Sequence, residues 1–355
     1  MNRTTVKQLA QVHGRPAVSI LCPLDPRRPG NAHDPGVLSH LRNEAVEQVE
    51  GLVQGHAATL LIDRIDMALA SVDLHHPSRG IAVLVSPSLS RVFSLDIPVD
   101  PHVVVGERFA VRDLVTAMLR MPRSRIVVLS EDKSRCIDVT GDAAVEQLGF
   151  GFPVEVVPPT EADTPHRDFP LGEQEHAEAV KFVFRAVDRA LVAVEHHDPR
   201  PLVLVGAERD LAYFDEVSLR RAHVVARVHG NHERDTAREL ARLVRPALEA
   251  YEREQQQAAC DEAREAIGTH AVSGLADTWL AARAGRGHRL ILEDGYQAAA
   301  RIAGETFEAA SDGDAGSFDA VADTVQEVVR HDGEILVVPP GSLADLGHIA
   351  LVTRY

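Results

Sequence analysis

The residues best suited to chemistry stand at Gly230-Asn231-His232-Glu233, directly after the apolar run Val224 to Val228. Asn and His at the end of a buried strand can ligate a two-metal centre that activates water against phosphate esters. Such a centre needs further ligands. Asp73-Leu74-His75 could supply an earlier Asp-x-His element, and Gly287-His288 a late Gly-His. No Gly-Asp-x-x-Asp lies between them, because Gly141-Asp142 is followed by Ala-Ala-Val. An isolated tetrapeptide is weak evidence for a centre of this kind. The spacing predicts instead that Gly230 and Asn231 form a turn and that the following residues open a long helix.

The chain holds 18 histidines, including the pairs His75-His76 and His196-His197. Both pairs stand near a proline, where a helix is expected to end, and an imidazole there can face the helix C-terminus favourably. That role accounts for them without a metal. The sequence has no Gly-x-Ser-x-Gly, no Walker loop and no Gly-x-Gly-x-x-Gly. Gly285-Arg286-Gly287 is too short for a dinucleotide loop. Neither a metal nor a cofactor is expected.

Local positive charge is the stronger signal. Arg27 and Arg28 lie in a loop rich in Pro and Gly, Arg120, Arg123 and Arg125 surround Pro122, and Arg220-Arg221 close a helix. Arg283, Arg286 and Arg289 surround a glycine-containing turn. A guanidinium on a loop can pair with phosphate in fixed geometry. Against this stands the whole chain, with 53 acidic and 37 basic residues and a formal charge of −16. That field opposes non-specific nucleic-acid binding, so no DNA partner is expected. Small basic patches on an acidic body suit a protein that touches RNA at a few points.

At 355 residues the chain is long enough for two or three domains. The three cysteines, Cys22, Cys136 and Cys260, form no CxxC pair, and an odd count argues against a disulfide framework. The N-terminus lacks an apolar core and no run is long enough to span a membrane, so a cytoplasmic location is expected.

The pattern predicts a strand at Ala17 to Cys22, a loop from Pro23 to Gly36 and a helix carrying Leu38, Leu41, Ala45 and Val49. A further helix is expected over Thr59 to Val72. Ile81 to Val85 and Arg91 to Leu95 read as a hairpin, Val103 to Val105 as a strand, and Ile126 to Leu129 with Cys136 to Val139 as a second hairpin. The proline-rich stretch Val154 to Pro170 reads as a linker. Beyond it, Val180 to Val194 has a helical stripe, and strands at Leu202 to Val205 and Val224 to Val228 alternate with a helix, which predicts a partly parallel sheet. A long helix is expected over Glu233 to Ala266, kinked or restarted at Pro246. The last stretch reads as a helix from Phe318 to Val329, a strand at Ile335 to Val338, a Pro339-Pro340 turn and a final strand.

Several segments resemble the bacterial archaeo-eukaryotic release factor families, most closely family three. Ala17 to Pro26, His33-Asp34-Pro35 and Leu41 to Ala45 are similar to that family's opening, and Gly80 to Pro87, Arg91 to Leu95 and Val103 to Phe109 continue it. Phe184 to Leu191 and Pro201 to Ala207 resemble its middle domain, and Gly341 to Tyr355 resembles the end of the third domain of release factors and Pelota. The resemblance implies an α/β protein of three domains. These are an amino-terminal α/β domain (1–157), a ribonuclease-H-like middle domain with a long helix (158–267) and a carboxy-terminal α/β/α domain akin to kink-turn-binding ribosomal proteins (268–355). Relatives in this superfamily bind the ribosomal A site, and the Balon type occupies idle ribosomes alongside elongation factor Tu.

The departures matter as much. Release chemistry in the superfamily depends on a Gly-Gly-Gln loop, and this sequence has none. Its nearest stretch is Gly172-Glu173-Gln174, which reads as a helix start; a Glu in the middle loses the second glycine's freedom and adds a carboxylate. The codon-reading Asn-Ile-Lys-Ser is also absent. The reading is therefore a ribosome-associated translation factor for hibernation or stress protection, with ribosomal RNA and a GTPase such as elongation factor Tu as partners. Its candidate RNA contacts are Arg27, Arg28, His166, Arg167, Gly172 and Gln174. The alternatives are a peptidyl-tRNA hydrolase acting in ribosome rescue, testable at Gln174, and a metallophosphoesterase-like hydrolase.

Overall fold

The computed structural model describes residues 3–12, 16–31, 33–95, 97, 99–119, 123–141, 143–155, 173–219, 223–303, 306–311 and 318–355. The chain is mixed α/β and forms two compact units, Met1–Met121 with Gln256–Tyr355, and Pro122–Gln255.

The first unit begins with α1 (Arg3–Gln11), β1 (Ala17–Pro23), α2 (His33–Leu52) and α3 (His56–Ala70). It continues through β2 (Gly80–Val85), β3 (Ser90–Leu95), β4 (His102–Gly106) and α4 (Val111–Leu119). The sheet order is β3-β2-β1-β4, and every pair is antiparallel. The inner strand β1 is buried on both faces and apolar from Ala17 to Cys22 except at Ser19, whose hydroxyl accepts the Ala110 N–H (2.9 Å). Val18, Ile20 and Cys22 point to a core shared with Leu41, Val49 and Ile65 of the helices. Ala17 and Leu21 point the other way, toward Phe109, Leu114 and the carboxy-terminal Leu290 and Val325. Helix α2 starts at His33, inside the stretch expected to be loop. Asn31 caps it, its Oδ1 accepting the N–H groups of His33 and Asp34 (2.8 and 2.9 Å). Pro35 is tolerated because the first turn has no use for its missing N–H.

The second unit holds β5 (Arg123–Val128), β6 (Lys133–Thr140), β7 (Ala143–Glu146), β8 (Val154–Glu155) and α5 (Glu173–His197). Then come β9 (Leu202–Gly206), α6 (Glu208–Val217), β10 (Val224–His229) and α7 (Ala237–Ala266), whose last residues belong to the first unit. The sheet order is β10-β9-β5-β6-β7, with β8 beside β6. The β10-β9-β5 pairs are parallel and β5-β6-β7 antiparallel. The expected β5–β6 hairpin forms, but its partner differs from the sequence reading. That reading grouped it with the residues before it, whereas Ile126 and Val127 pair with Val203 and Leu204. The reason is burial on both faces. Val127 joins Phe184, Leu191 and Phe214 on the α5/α6 side, and Ile126 and Val128 join Leu240 and Val244 on the α7 side. Both covering layers come from residues after 173.

Helix α7 starts at Ala237 rather than Glu233, and Pro246 lies inside one continuous helix instead of restarting it. Thr236 and Glu239 form a capping box: the Thr236 N–H donates to Glu239 (2.8 Å) and the Glu239 N–H to the Thr236 hydroxyl (3.3 Å).

The first unit is completed by β11 (Ala271–Ser273), α8 (Leu275–Arg283), β12 (Gly287–Glu293), β13 (Ala299–Ala303), β14 (Thr306–Ala309), β15 (Phe318–Asp319), α9 (Ala320–Arg330), β16 (Glu334–Val338) and β17 (Ile349–Thr353). The main sheet order here is β11-β17-β12-β16, with β12 and β16 parallel. Phe318, expected to begin the last helix, is instead strand, and Asp319 caps α9 by accepting the Ala322 N–H (2.9 Å). All three cysteines are free and buried, and burial pushes the Cys22 and Cys136 thiols up to about 12. No described helix is long and apolar enough to cross a membrane.

Candidate nucleic-acid interface

Two loops meet at one end of the β1–β4 sheet. The first runs from Leu24 to Asn31 and carries Arg27 and Arg28; the second runs from Ser71 to Arg79 and carries His75 and His76. The Leu24 N–H donates to the Arg79 carbonyl, and the Gly30 N–H to the Leu74 carbonyl (both 3.1 Å). Gly30 has φ +69°, a left-handed conformation glycine adopts at no steric cost.

The acidic residues of these loops organise the backbone. Asp25 accepts the Arg27 N–H at Oδ1 (2.9 Å), and its carbonyl accepts the Arg28 N–H (3.1 Å). Buried Asp34 accepts the Asn31 amide (2.8 Å) and the Asp25 N–H (3.2 Å). Asp73 accepts the N–H groups of His75 (2.8 Å) and His76 (3.2 Å). The His75 N–H first, then the His76 ring and N–H, hold the Asp73 carboxyl below the usual carboxylate range.

The basic side chains at this end of the sheet are left outward. Arg27, Arg28, His33, His75, His76 and Arg79 are exposed, and the guanidiniums of Arg27, Arg28 and Arg79 have no partner among the described residues. The loops thus present guanidiniums on a backbone already fixed by side-chain caps, so little order has to be gained on binding. Paired phosphate oxygens are the ligand that geometry suits. The sequence predicted Arg27 and Arg28. It did not bring in Arg79, and it placed His75-His76 at a helix end. In fact α3 stops at Ala70, and the histidines sit in the loop that Asp73 folds.

The other expected contacts fall elsewhere. His166, Arg167 and Gly172 lie outside the described residues. Gln174 is exposed in the first turn of α5, which begins at Glu173. Just beyond it, the His176 ring lies 2.9 Å from the Glu131 carboxylate, which also pairs with Arg209 (2.5 Å). Nearby, burial above all, and then Glu131, push the Asp210 carboxyl up.

The Gly230-Asn231-His232-Glu233 stretch is a helix-entry loop. His232 pairs with Asp235 (2.8 Å), and Arg135 donates to the carbonyls of Glu233 and Asp235 (2.8 and 2.9 Å). Among the described residues no group of His, Cys, Asp or Glu is arranged to hold a metal ion. Asp73 and His75 belong to the first unit, and Asn231 and His232 to the second.

Of the other arginines singled out in the sequence, Arg120, Arg220 and Arg221 lie outside the described residues, and Arg123, Arg125, Arg283 and Arg289 are already engaged inside the protein. Arg123 and Arg125 pair with Asp198 and Asp138, and Arg283 lies over the Trp279 ring at 4.6 Å. Arg289 pairs with Glu262 and Glu334.

Residues 125–286 match the model of bacterial archaeo-eukaryotic release factor family 3. The family seen in the sequence is the one whose model matches, and the matched stretch takes in most of the second unit. Among curated proteins none matches. Solved structures with similarity include an archaeal Pelota described as ribosome-bound, at 12% identity, 100% of this chain, 94% of that chain and TM-score 0.45. Archaeoglobus fulgidus Pelota is similar at 12% identity over 100% of this chain and 92% of that one, TM-score 0.31. The archaeal translation termination factor is similar at 15% identity over 100% and 99%, TM-score 0.24.

Proposed function

We propose that this protein is a ribosome-associated translation factor that acts by occupying the A site, with the Arg27–Arg28 loop as one of its contacts to ribosomal RNA. The observation that carries this reading is the match of residues 125–286 to a release factor family in a chain that has no Gly-Gly-Gln. The chain keeps the family's scaffold and departs from it at the tripeptide release chemistry depends on. The exposed, unpaired guanidiniums on a capped loop support a contact with phosphate. On a body of charge −16 they are also a place where a polyanion is attracted, which orients the encounter. In the finer form of the proposal the bound state is the idle ribosome of stressed cells, with a translational GTPase such as elongation factor Tu as co-ligand. The two compact units, 1–121 with 256–355 and 122–255, would let separate parts of the chain reach separate ribosomal regions.

Co-sedimentation with ribosomes from growing and from stationary cells tests this. The protein is expected to pellet with ribosomes from stationary cells, and Arg27→Glu/Arg28→Glu to pellet far less. A protein that stays at the top of the gradient with both ribosome pools refutes the reading. Release of a labelled peptide from stalled ribosomes that is lost in Gln174→Ala would replace it with peptidyl-tRNA hydrolysis.

A further inference from the structure

Helix α7 carries a row of arginines on the side turned away from its sheet. Leu240 and Val244 are buried against residues of β5, β6 and β9 and set the inward side. Arg238, Arg242 and Arg245 then fall on the outward side, all exposed, about 6 and about 4.5 Å apart along the axis. Exposed Arg234 precedes them in the loop that enters the helix. The two acids of this stretch are engaged elsewhere. Asp235 meets the His232 ring (2.8 Å), and Glu239 Oε2 accepts the Thr236 N–H and hydroxyl (2.8 and 2.7 Å). Among the described residues, Arg234, Arg238 and Arg242 have no hydrogen bond or ion pair.

The row also works against the helix that holds it. Arg238 stands in the first turn, where the helix dipole disfavours a cation. Arg238 and Arg242 stand at i and i+4, and Arg242 and Arg245 at i and i+3, so like charges face each other along one side. Helix stability therefore does not account for the row, whereas a polyanion laid along it relieves the repulsion.

The composition of the face selects among polyanions. From Val224 to Ala266 no large apolar or aromatic side chain is exposed. A protein partner would want an apolar anchor at the centre of the contact, and a single RNA strand an aromatic platform for its bases. The phosphates of a duplex need neither, and outward guanidiniums suffice for them. We infer that the Arg234–Arg245 face binds the phosphate backbone of double-stranded RNA without reading its sequence. This contact belongs to the second unit and is separate from the Arg27–Arg28 loop of the first.

The test is fluorescence anisotropy on the full chain with a labelled RNA duplex over a range of salt, with no ribosomes present. Saturable binding is expected at low salt, equal for a second duplex of unrelated sequence. Arg238→Gln/Arg242→Gln should weaken it by about tenfold or more and reduce the slope of log affinity against log salt by about 1.5, as two phosphate contacts are lost. The same variant should not lower the thermal midpoint, because it removes facing like charges. Three results overturn the inference: a variant with the parent's affinity and salt slope, a labelled Glu-rich peptide bound more tightly than the duplex, or a lowered midpoint that makes the row a support of the helix. Ribosome co-sedimentation is read separately, so either result can fail while the other stands.

Discussion

Replacing Arg125 with Leu tests how the second unit is held together. Arg125 is 1% exposed on β5, the strand through which the parallel and antiparallel halves of the sheet meet. Its guanidinium donates to both oxygens of Asp138 (2.8 and 3.2 Å) and to the Asp198 carbonyl (3.0 Å). Charged hydrogen bonds contribute about 1.5–3 kcal/mol each, but the cost of desolvating the guanidinium offsets much of that. Breaking a buried pair from one side costs about 3–5 kcal/mol, because the remaining charge is stranded. Here Asp138 is 19% exposed and keeps Arg200 at 4.0 Å, so the cost should sit at the low end, about 3 kcal/mol. Arg125→Leu/Asp138→Leu removes both charges and should recover about 2 kcal/mol of it. A chain of two units is not expected to unfold in one step, so the assay is native-state hydrogen exchange. Amides of β5, β6 and β9 should exchange about a hundredfold faster in Arg125→Leu, with those of β12 and β17 unchanged. Protection of β5 reduced by less than about tenfold, or a double variant as damaged as the sum of the singles, would refute the reasoning.

Arg27→Glu/Arg28→Glu should weaken ribosome co-sedimentation by about tenfold or more while leaving the thermal midpoint within about 1 °C, since surface changes away from caps and cores cost little. At Glu293, burial raises the carboxyl, but the Gly341 N–H, the His348 ring (2.9 Å) and the Leu343 N–H (2.6 Å) outweigh it and hold the group below its usual range. A folded value below the unfolded one means a stabilisation that is full above the unfolded glutamate range and lost as pH falls through the folded one. Urea titrations at about pH 7 and about pH 3 should therefore differ less in Glu293→Gln than in the parent protein. Gly333→Ala should destabilise by about 1–3 kcal/mol, read as a lower urea midpoint, because a Cβ there would lie 2.5 Å from the Val328 side chain and 3.1 Å from its carbonyl.

Much of the fold is legible in the sequence because apolar runs and helical stripes report burial directly. The β2–β3 and β5–β6 hairpins and the parallel β9–β10 pair lie where pattern alone puts them. Pairing between distant segments is less visible. Nothing local to Ile126 tells that its neighbour is Val203, since a strand buried on both faces reads the same whichever helices cover it. Helix α1 escapes the pattern because its buried Leu9 and Ala10 are too few to make a stripe. Helix α2 starts early because a side-chain cap at Asn31 overrides the loop signal of Pro35 and Gly36.

The candidate interface shows the same limit in charge. An arginine on a loop looks alike in sequence whether it faces phosphate or an internal acid. Arg123 reaches Asp198, and Arg289 reaches Glu262 and Glu334, across separations no local pattern reveals. What separates Arg27 and Arg28 from these is the use their acidic neighbours make of their oxygens. Asp25, Asp34 and Asp73 spend theirs on N–H groups of the loop itself, so the acids that shape the loop are not spent on its guanidiniums. For the proposed contact with RNA this arrangement matters, because a guanidinium already paired to a carboxylate must break that pair before it can bind phosphate. A loop of Asp, Asn, Gly and Arg in which the acids cap and the arginines point outward meets the requirement at one end of the β1–β4 sheet.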